Sequence, residues 1–265
     1  MVNEFPQALS IAGSDSGGGA GMQADLKTMQ MRHIFAATVL VAITAQNTLG
    51  VQKSLTLPPE MITAQFASLD ADLQIRACKT GMLGDVATVK TVVKNLQQYD
   101  FGFLTVDPVM IAKGGASLLT EEAIETVKNE LLPLADLVTP NLPEAVKLTG
   151  RNIASQEDML RAAEDLQRLG AKNVLIKGGH LDASQAATDL VLLEDGKTFW
   201  MSGPRFDTVR THGTGDTISA CITAELAKGV SLENALRIGK AYVTATIRDE
   251  IAVGHGHGPL NHWAV

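Results

Sequence analysis

Short apolar runs that alternate with helix-forming stretches are the feature that most limits what this chain can fold into. One run, AATVLVAITA at residues 36–45, is rich in β-branched residues and shows no polar alternation. A strand of this kind is covered on both faces, as strands of parallel sheets are. Four other runs are predicted to be similar strands: residues 8–12, 103–107, 136–140 and 173–179.

Between these runs, apolar residues recur at helical spacing. The helical sets are Ile62, Phe66 and Leu69; Val86, Val89, Val93 and Leu96; Ile124, Val127 and Leu131; Met159, Ala163, Leu166 and Leu169; and Leu232, Leu236, Val243 and Ile247. Asp85 and the pair Ser155 and Asp158 stand where helix caps are expected, and Pro133 would end the third helix. The alternation predicts an α/β fold in which helices cover both faces of a mostly parallel sheet.

Residues 188–200 depart from this alternation. Their sequence, TDLVLLEDGKTFW, predicts a β-hairpin that turns at Asp195-Gly196 and lies at an edge of the sheet. No composition shift, long linker or repeat divides the chain. Its 265 residues, of which 45% are hydrophobic, suffice for a sizeable core. We therefore predict a single domain over residues 1–265.

Charge and hydropathy disfavour several classes of partner. Lys and Arg total 22 and Asp and Glu total 29, so the formal charge is −7, and no basic stripe is present. Neither nucleic acid nor an anionic membrane is therefore expected as a partner. No run reaches the roughly 18 apolar residues of a membrane span, and no leader-like start is visible, so we expect a cytoplasmic protein. Cys78 and Cys221 lie in apolar stretches, which predicts buried, reduced thiols.

Polar side chains follow most of the predicted strands. Because ligands collect at the carboxyl ends of the strands in open α/β sheets, we expect most of these side chains to face one crevice. The alternative is that a given residue only caps a helix. The residues are Asp15, Gln46, Asn47, Lys79, Asp107, Asn141, Glu144 and Lys177.

A glycine-rich segment, GSDSGGGAG at residues 13–21, leads into a helical stretch. It does not match the dinucleotide pattern G-x-G-x-x-G, which would need glycine where Met22 stands. It does not match a Walker A loop either, because Lys27-Thr28 follow Leu26. Glycines directly before a helix permit close approach of the backbone to a small molecule, with a flexible turn as the alternative.

A second glycine run, HGTGDT at residues 212–217, precedes the helical stretch ISACITAELAKG. Converging backbone N–H groups and the helix N-terminus, which carries about half a positive charge, predict an anion site there. A carboxylate beside such a site suits a base that deprotonates a hydroxyl as the hydroxyl attacks a phosphoryl group. Asp216 is therefore a candidate catalytic base, with a simple helix cap as the alternative.

Asn141 and Glu144 follow a strand and stand three residues apart at a predicted helix start. Their oxygen atoms suit a hydrated Mg²⁺ ion, although a capped helix after Pro140 explains them equally. Lys177 ends a strand before two glycines and is a candidate phosphate ligand.

The segment VGHGHGPLNHW contains three histidines, His255, His257 and His262. Their spacing matches no zinc site, and we interpret the segment as a C-terminal closure of the fold. His180 and His212 flank the predicted nucleotide site, and their roles stay open.

Eight motifs follow one another between about residues 8 and 262: IAGSDSGGGAGMQADLKT, AQNTLGVQ, KTGMLGD, DPVMIAKGG, TPNLPEA, IKGGH, THGTGDT and VGHGHGP. This order resembles that of the hydroxymethylpyrimidine/phosphomethylpyrimidine kinases of the ribokinase-like superfamily. The resemblance implies a three-layer α/β/α fold and an ATP- and Mg²⁺-dependent kinase of thiamine biosynthesis, often a homodimer. It leaves the use of a monovalent cation open. Pyridoxal kinases are the nearest relatives of this branch.

The resemblance also implies roles for individual residues. The pocket for a flat heteroaromatic alcohol would be lined by Gly13, Ala20, Asp25, Gln46 and Met82. The metal and its waters would be organised by Asp107, Asn141 and Glu144. ATP would contact Lys177, Thr211 and Val243, and the anion hole beside Asp216 would be formed by Gly213, Thr214 and Gly215. Residues 110–119 would be a mobile flap that excludes water.

One residue departs from the family pattern, because this branch commonly carries cysteine where this chain has Asp216. Aspartate is the form used by sugar kinases of the superfamily and by another group of pyridoxal kinases. We expect phosphorylation of 4-amino-5-hydroxymethyl-2-methylpyrimidine (hydroxymethylpyrimidine below) and then of its monophosphate, with pyridoxal or pyridoxine phosphorylation as the alternative. A non-catalytic binding protein is disfavoured because base, metal motif and anion hole are all present. A sugar kinase is disfavoured because no lid segment is inserted after the first strand.

Overall fold

One sheet runs through the part of the chain that the computed structural model describes, which comprises residues 4–110, 119–179 and 186–264. Its strands are β1 (Gln7–Gly13), β2 (Phe35–Asn47), β3 (Gly50–Thr56), β4 (Ile75–Thr80), β5 (Phe103–Val106), β6 (Leu137–Val138), β7 (Asn173–Ile176), β8 (Ala186–Leu192) and β9 (Thr198–Pro204). Their order across the sheet is β3-β2-β1-β4-β5-β6-β7-β8-β9. Neighbours from β2 to β7 in this order are parallel, and β3, β8 and β9 pair antiparallel with theirs.

Helices cover both faces of this sheet. They are α1 (Gly21–Met31), α2 (Pro59–Asp70), α3 (Val86–Gln98), α4 (Glu121–Thr126), α5 (Leu142–Thr149), α6 (Gln156–Arg168), α7 (Thr214–Ala227) and α8 (Leu232–Arg248). The main core cluster joins the sheet to α2 through α6, and two smaller clusters join the other face to α1, α7 and α8. The predicted three-layer α/β/α fold with a mostly parallel sheet is thus confirmed.

Local signals place the helix ends where the sequence predicts them. The Asp85 side chain accepts the backbone N–H of Thr88 at 2.8 Å, and Ser155 accepts that of Asp158 at 3.1 Å. Helix α4 continues through a π-helical turn at Val127–Leu131 and ends in a 3₁₀ turn at Leu132–Leu134, which contains Pro133. Side-chain caps and proline therefore set these boundaries.

The predicted hairpin is confirmed as β8 and β9 at one edge of the sheet. Gly196 takes the left-handed φ of +83° that its turn requires, and Leu193 N–H donates to the Lys197 carbonyl at 2.9 Å. The single domain over residues 1–265 stays a prediction.

Strands β3 and β4 were not among the predicted strands. Every residue of β3 is exposed, so the sequence of this edge strand does not alternate between apolar and polar residues as a half-buried strand would. Strand β4 lies next to β1 in the sheet, but Arg76 and Lys79 interrupt its apolar pattern. Lys79 is nevertheless 0% exposed, because a buried carboxylate pairs with it.

Both cysteines are free and buried, as predicted. Burial raises the pKa of the Cys221 thiol to about 12, and it also raises the pKa of Cys78. Over the described ranges, no helix combines the length and hydropathy needed to cross a bilayer.

Candidate active site

The carboxyl ends of neighbouring strands bring predicted site residues to one edge of the sheet. Asp107 follows β5, and its N–H donates to the Thr80 carbonyl at the end of β4 at 3.1 Å. Asn141 and Lys177, which follow β6 and β7, form a parallel β-bridge. Parallel pairing of adjacent strands therefore places these side chains side by side.

The two glycine runs pack directly against each other. A Cβ atom at Gly213 would lie 2.0 Å from the Gly19 carbonyl oxygen, and one at Gly19 would lie 2.9 Å from Cδ2 of His212. Gly213 also has a left-handed φ of +82°. Only glycine satisfies both conditions at position 213, so the first run forms one continuous surface with the start of α7.

Asp15 holds the first glycine run in shape. Its carboxylate accepts backbone N–H groups from Gly17, Gly19 and Ala20 at 2.8 to 3.0 Å, and it lies 3.1 Å from Nε2 of His212. Burial acts to raise the pKa of Asp15, but the hydrogen bonds from His212 and Gly17 outweigh burial and lower it. Asp15 thus fixes the loop and ties it to the second run.

The first turn of α7 presents backbone donors to the crevice. The Thr214 hydroxyl donates to the Thr211 carbonyl at 2.8 Å and so points back toward the loop. The N–H groups of Gly215 and Asp216 donate to no residue within the described ranges. These donors lie at the positive end of a 14-residue helix, a position that suits an anion such as a phosphate.

Asp216 lies at the end of a buried chain of charges. Its Oδ1 atom is 3.6 Å from Nζ of Lys79, and Lys79 in turn donates to Oδ1 of Asp25 at 2.7 Å. Ser10 donates to the other Asp25 oxygen at 2.6 Å. The Asp216 side chain is 13% exposed, whereas those of Lys79 and Asp25 are 0% exposed.

The position of Asp25 limits what it can contact. Burial raises the pKa of its carboxyl to about 7, with Lys79 acting in the opposite direction. Because both of its oxygens already accept hydrogen bonds and neither is exposed, Asp25 lies beneath the crevice rather than on its open wall. Direct contact between Asp25 and a substrate, as the resemblance implies, stays a prediction.

A second ion pair lies beside the first turn of α7. Lys177 Nζ donates to Oδ1 of Asp107 at 2.9 Å, and the Thr139 hydroxyl donates to the same oxygen at 3.2 Å. A Cβ atom at Gly215 would lie 3.2 Å from both Lys177 Nζ and Asp107 Oδ2. Burial acts to lower the pKa of Lys177, but the carboxylates of Asp107, Glu144 and Asp216 together outweigh burial and raise the pKa, so the ammonium stays charged beside the first turn of α7.

Asn141 and Glu144 form the capping box that the sequence left open as an alternative. The Glu144 N–H donates to Oδ1 of Asn141 at 3.0 Å, and the Asn141 N–H donates to Oε2 of Glu144 at 2.8 Å. Burial raises the pKa of Glu144 to about 7, and the charge of Lys177 opposes the shift. The pair therefore starts α5 and at the same time keeps a buried carboxylate next to Lys177.

These side chains fit a hydrated Mg²⁺ ion but not a dedicated metal cage. Within the described residues, no three His, Cys, Asp or Glu side chains converge as ligands. Asp107 and Glu144 supply hard carboxylate oxygens at the anion site, which suits an ion that keeps its waters and is shared with phosphate groups. Direct ligation by Asn141 competes with its hydrogen bond to Glu144.

The wall next to β1 combines a small residue, a thioether and an amide. A Cβ atom at Gly13 would lie 2.6 Å from Cε of Met82, so glycine leaves room for this methionine. Gln46 is half-buried, and its side-chain amide lies 3.2 Å from Nε2 of His212. The predicted pocket residues Gly13, Gln46 and Met82 thus lie near the glycine loop, while Ala20 is the N-cap of α1.

The C-terminal segment, which was predicted to close the fold, packs against the loop between β2 and β3. His257 N–H donates to the Thr48 carbonyl at 3.0 Å, and a Cβ atom at Gly256 would lie 2.0 Å from that oxygen. His262 is buried with Nε2 3.1 Å from the Thr217 hydroxyl, and burial lowers its pKa to about 4.

The expected roles of Val243 and of the flap at residues 110–119 are not tested by the described residues. Val243 is 5% exposed and packs in the core cluster of α7 and α8, so its contact with adenine stays a prediction. Most of the predicted flap, residues 111–118, and His180 lie outside the described residues.

Sequence reasoning listed Asp15 and Lys79 among the residues expected to face the crevice and placed His212 beside the nucleotide site, but it gave none of the three a specific role. Asp15 had a usable signal, since an aspartate two residues before glycine is typical of a local turn. Lys79 is a charge inside an apolar run, which indicates a buried counter-charge. The contact of His212 joins segments far apart in sequence, and no local pattern predicts it.

Free N–H groups at a helix start, with a carboxylate and a lysine beside them on an α/β/α scaffold, suit the transfer of a phosphoryl group to a small molecule. The profile of the family described as phosphomethylpyrimidine kinase matches residues 15–261. The chain belongs to this family.

Individual relatives agree with this assignment. A hydroxymethylpyrimidine/phosphomethylpyrimidine kinase of Haemophilus influenzae is 53% identical over 99% of this chain and 98% of the relative. The structure is similar to phosphomethylpyrimidine kinase from Clostridium difficile, with a TM-score of 0.81 and 41% identity over 91% of this chain and 99% of that one. It is also similar to an ADP complex of Bacillus subtilis pyridoxal kinase, with a TM-score of 0.91 and 35% identity over 98% of both chains.

Proposed function

We propose that this protein uses ATP to phosphorylate hydroxymethylpyrimidine and then its monophosphate, in thiamine biosynthesis. Family membership and the 53% identical relative support the reaction and the substrate class. The observation that carries the mechanism is the Asp216 carboxylate, half-buried in the same helical turn as the free N–H groups of Gly215 and Asp216. This arrangement brings a proton acceptor and an anion site within one turn of helix.

In the proposed reaction, the hydroxymethyl oxygen attacks the γ-phosphorus of ATP while Asp216 accepts the hydroxyl proton. A new O–P bond forms, the bond from the γ-phosphorus to the bridging oxygen breaks, and ADP leaves with the electron pair. Gly213, Thr214 and Gly215 place the N–H groups that stabilise charge on the transferring group. Lys177 holds phosphate oxygens, and Thr211 contacts ATP from the same loop.

Asp107 and Glu144 would hold the waters of a Mg²⁺ ion, with Asn141 orienting Glu144 through the capping box. When bound, the ion supplies positive charge that neutralises the phosphate groups during transfer.

The substrate ring would lie against the wall formed by Gly13, Ala20 and Met82, with Gln46 as its polar contact. Met82 offers a flat, polarisable surface, and the Gln46 amide both donates and accepts hydrogen bonds. These properties suit a flat heteroaromatic ring with nitrogen atoms and an amino group at its edge. Asp25 acts on this site from below, through Lys79.

Phosphorylation of pyridoxal is the second candidate, because the similarity to a pyridoxal kinase structure has a TM-score of 0.91. A substrate panel separates the two. ADP release by the purified chain, with ATP and Mg²⁺, is measured with hydroxymethylpyrimidine, its monophosphate, pyridoxal and pyridoxine, and products are assigned by ³¹P NMR. We expect turnover of the pyrimidine and its monophosphate. Turnover of pyridoxal alone would overturn the proposed substrate. If the chain binds these alcohols but releases no ADP with any of them, the proposed reaction would be overturned.

We also propose that the protein acts in the cytoplasm as a homodimer. Ile43 and Leu55 form a cross-strand pair on the outer hairpin of β2 and β3, and they are 45% and 62% exposed. An exposed apolar patch on an edge strand is a typical contact for a second copy. Light scattering after size exclusion should give twice the 28.1 kDa chain mass, and Leu55→Lys should reduce it. A monomer at all concentrations would contradict this proposal.

A further inference from the structure

A buried chain of polar groups leads from the core to the candidate base. Ser10 donates to Asp25, Asp25 accepts from Lys79 at 2.7 Å, and the Lys79 ammonium lies 3.6 Å from Oδ1 of Asp216. Ser10, Asp25 and Lys79 are each 0% exposed. Within this chain of contacts, Asp216 is therefore the residue that retains exposure.

The two distances from Lys79 divide its interactions into a strong and a weak one. At 2.7 Å, Asp25 is its hydrogen-bonded counter-ion, whereas at 3.6 Å Asp216 is attracted without a short hydrogen bond. A base must lose its negative charge when it accepts a proton. If Asp216 were the only partner of this buried ammonium, protonation of Asp216 would leave the ammonium unpaired, which is strongly unfavourable. Because Asp25 stays paired with Lys79, the ammonium keeps a counter-ion when Asp216 is protonated.

The two carboxylate oxygens of Asp216 have different surroundings. Oδ1 faces Lys79, and a Cβ atom at Gly81 would lie 3.7 Å from it. Oδ2 has no hydrogen-bond partner among the described residues, and the side chain retains 13% exposure. Oδ2 is thus the oxygen of Asp216 that is free to accept a hydrogen bond.

We propose that Lys79 and Asp25 are a positioning pair for Asp216: the ammonium orients the base, and the buried carboxylate keeps the ammonium from competing for the base's negative charge. The inference rests on the proposed function, because it assumes that Asp216 accepts the hydroxyl proton. It assigns to Asp25 a role in catalysis that needs no contact with substrate.

The test uses a double variant that carries both Lys79→Met and Asp25→Asn. Its kinetics are compared with those of the wild type. Removing Lys79 alone would leave a buried carboxylate without its counter-ion, whereas the double variant removes both charges and keeps the side chains similar in size. The matched control is Arg32→Met with Glu225→Gln, which removes the ion pair between α1 and α7 at the far end of α7, where the two side chains are 27% and 4% exposed. Steady-state kinetics with hydroxymethylpyrimidine and ATP are measured alongside thermal unfolding.

We expect the double variant to lose kcat by on the order of tenfold to a hundredfold, with both KM values within about threefold of wild type. The control pair should lower stability and leave kcat unchanged. A folded double variant with the wild-type kcat would overturn the positioning role while leaving the proposed function intact, and an inactive wild type would instead contradict the proposed function.

If the double variant does not fold, Asp25→Asn alone provides the second test. This change leaves Lys79 with Asp216 as its nearest carboxylate, so the ammonium should move closer and hold the base in its charged form. A lower kcat with unchanged KM supports the proposal, and the wild-type kcat overturns it.

Discussion

The carbonyl oxygen of Gly19 occupies the space that a side chain at Gly213 would need, since a Cβ there would lie only 2.0 Å away. This contact joins the two glycine runs. The loop that Asp15 shapes and the first turn of α7 therefore form one continuous wall.

Gly213→Ala tests this contact. The substitution forces a Cβ into the Gly19 carbonyl at a left-handed φ, so we expect a loss of roughly 3 kcal/mol or more in unfolding free energy, together with a large loss of kcat. Gly229→Ala is the matched control, because Gly229 has a φ of +83° but nothing within 4 Å of its Cβ position. It should cost about 1 kcal/mol and leave kcat unchanged. Equal effects of the two variants in urea unfolding and kinetics would argue against the proposed wall.

Asp15→Asn should loosen the first glycine run. The amide keeps one acceptor oxygen but loses the charge that three backbone N–H groups and His212 share, so KM for the alcohol should rise by about tenfold. Asp100→Asn is the control, since Asp100 accepts the Gly102 N–H at 2.9 Å in a similar turn but is exposed. An unchanged KM in Asp15→Asn would show that the loop does not depend on this carboxylate.

Lys177→Met should weaken ATP binding more than alcohol binding. Lys177 lies 2.9 Å from Asp107 beside the free N–H groups of α7, and a charged contact to phosphate is worth about 1.5–3 kcal/mol, so KM for ATP should rise by roughly tenfold to a hundredfold. Lys172→Met is the control, because Lys172 precedes the same strand, β7, at its opposite end and pairs with Asp136. Similar KM values for ATP in both variants would remove Lys177 from the phosphate site.

His262 makes stability depend on pH. Burial lowers its pKa to about 4, so between pH 6.5 and 4 the unfolded chain binds a proton that the folded chain does not. Stability should therefore fall as pH drops through this window, by up to about 3 kcal/mol from this group. His262→Gln cannot titrate, and urea unfolding at pH 7.5 and 4.5 should show a smaller pH dependence in the variant. Parallel pH curves for the two proteins would contradict the buried, neutral histidine.

Much of the fold could be predicted from local patterns. The cap at Asp85 and the Asp195-Gly196 turn each act within a few residues, so their signals are complete in the sequence. The run at 36–45 predicted a strand correctly, but its cover on both faces was wrong at the end, where Ile43 is 45% exposed because β2 there pairs with the edge strand β3 and no longer with β1. Strand β4 was missed because Lys79 looks like a surface residue until Asp25, on α1, is known to be its neighbour.

The residues of the candidate site likewise fall into those that local sequence patterns indicated and those that depend on contacts between distant segments. The order of motifs indicated Asp107, Lys177 and Asp216, because each follows a strand or starts a helix. The resemblance assigned Asp25 to the pocket wall, which stays a prediction; that Asp25 is fully buried against Lys79 depends on how α1 packs against β1 and α7, and no motif carries that information. The Asp15 to His212 contact likewise depends on the meeting of two distant loops.

Asp216→Asn tests the central claim most directly, because asparagine preserves the shape of the side chain and removes only its ability to accept the hydroxyl proton. Single-turnover phosphorylation of hydroxymethylpyrimidine should slow by about 10²- to 10⁴-fold, while the affinity for ATP stays near that of wild type. A variant that binds ATP and transfers phosphate at close to the wild-type rate would contradict the assignment of Asp216 as the base.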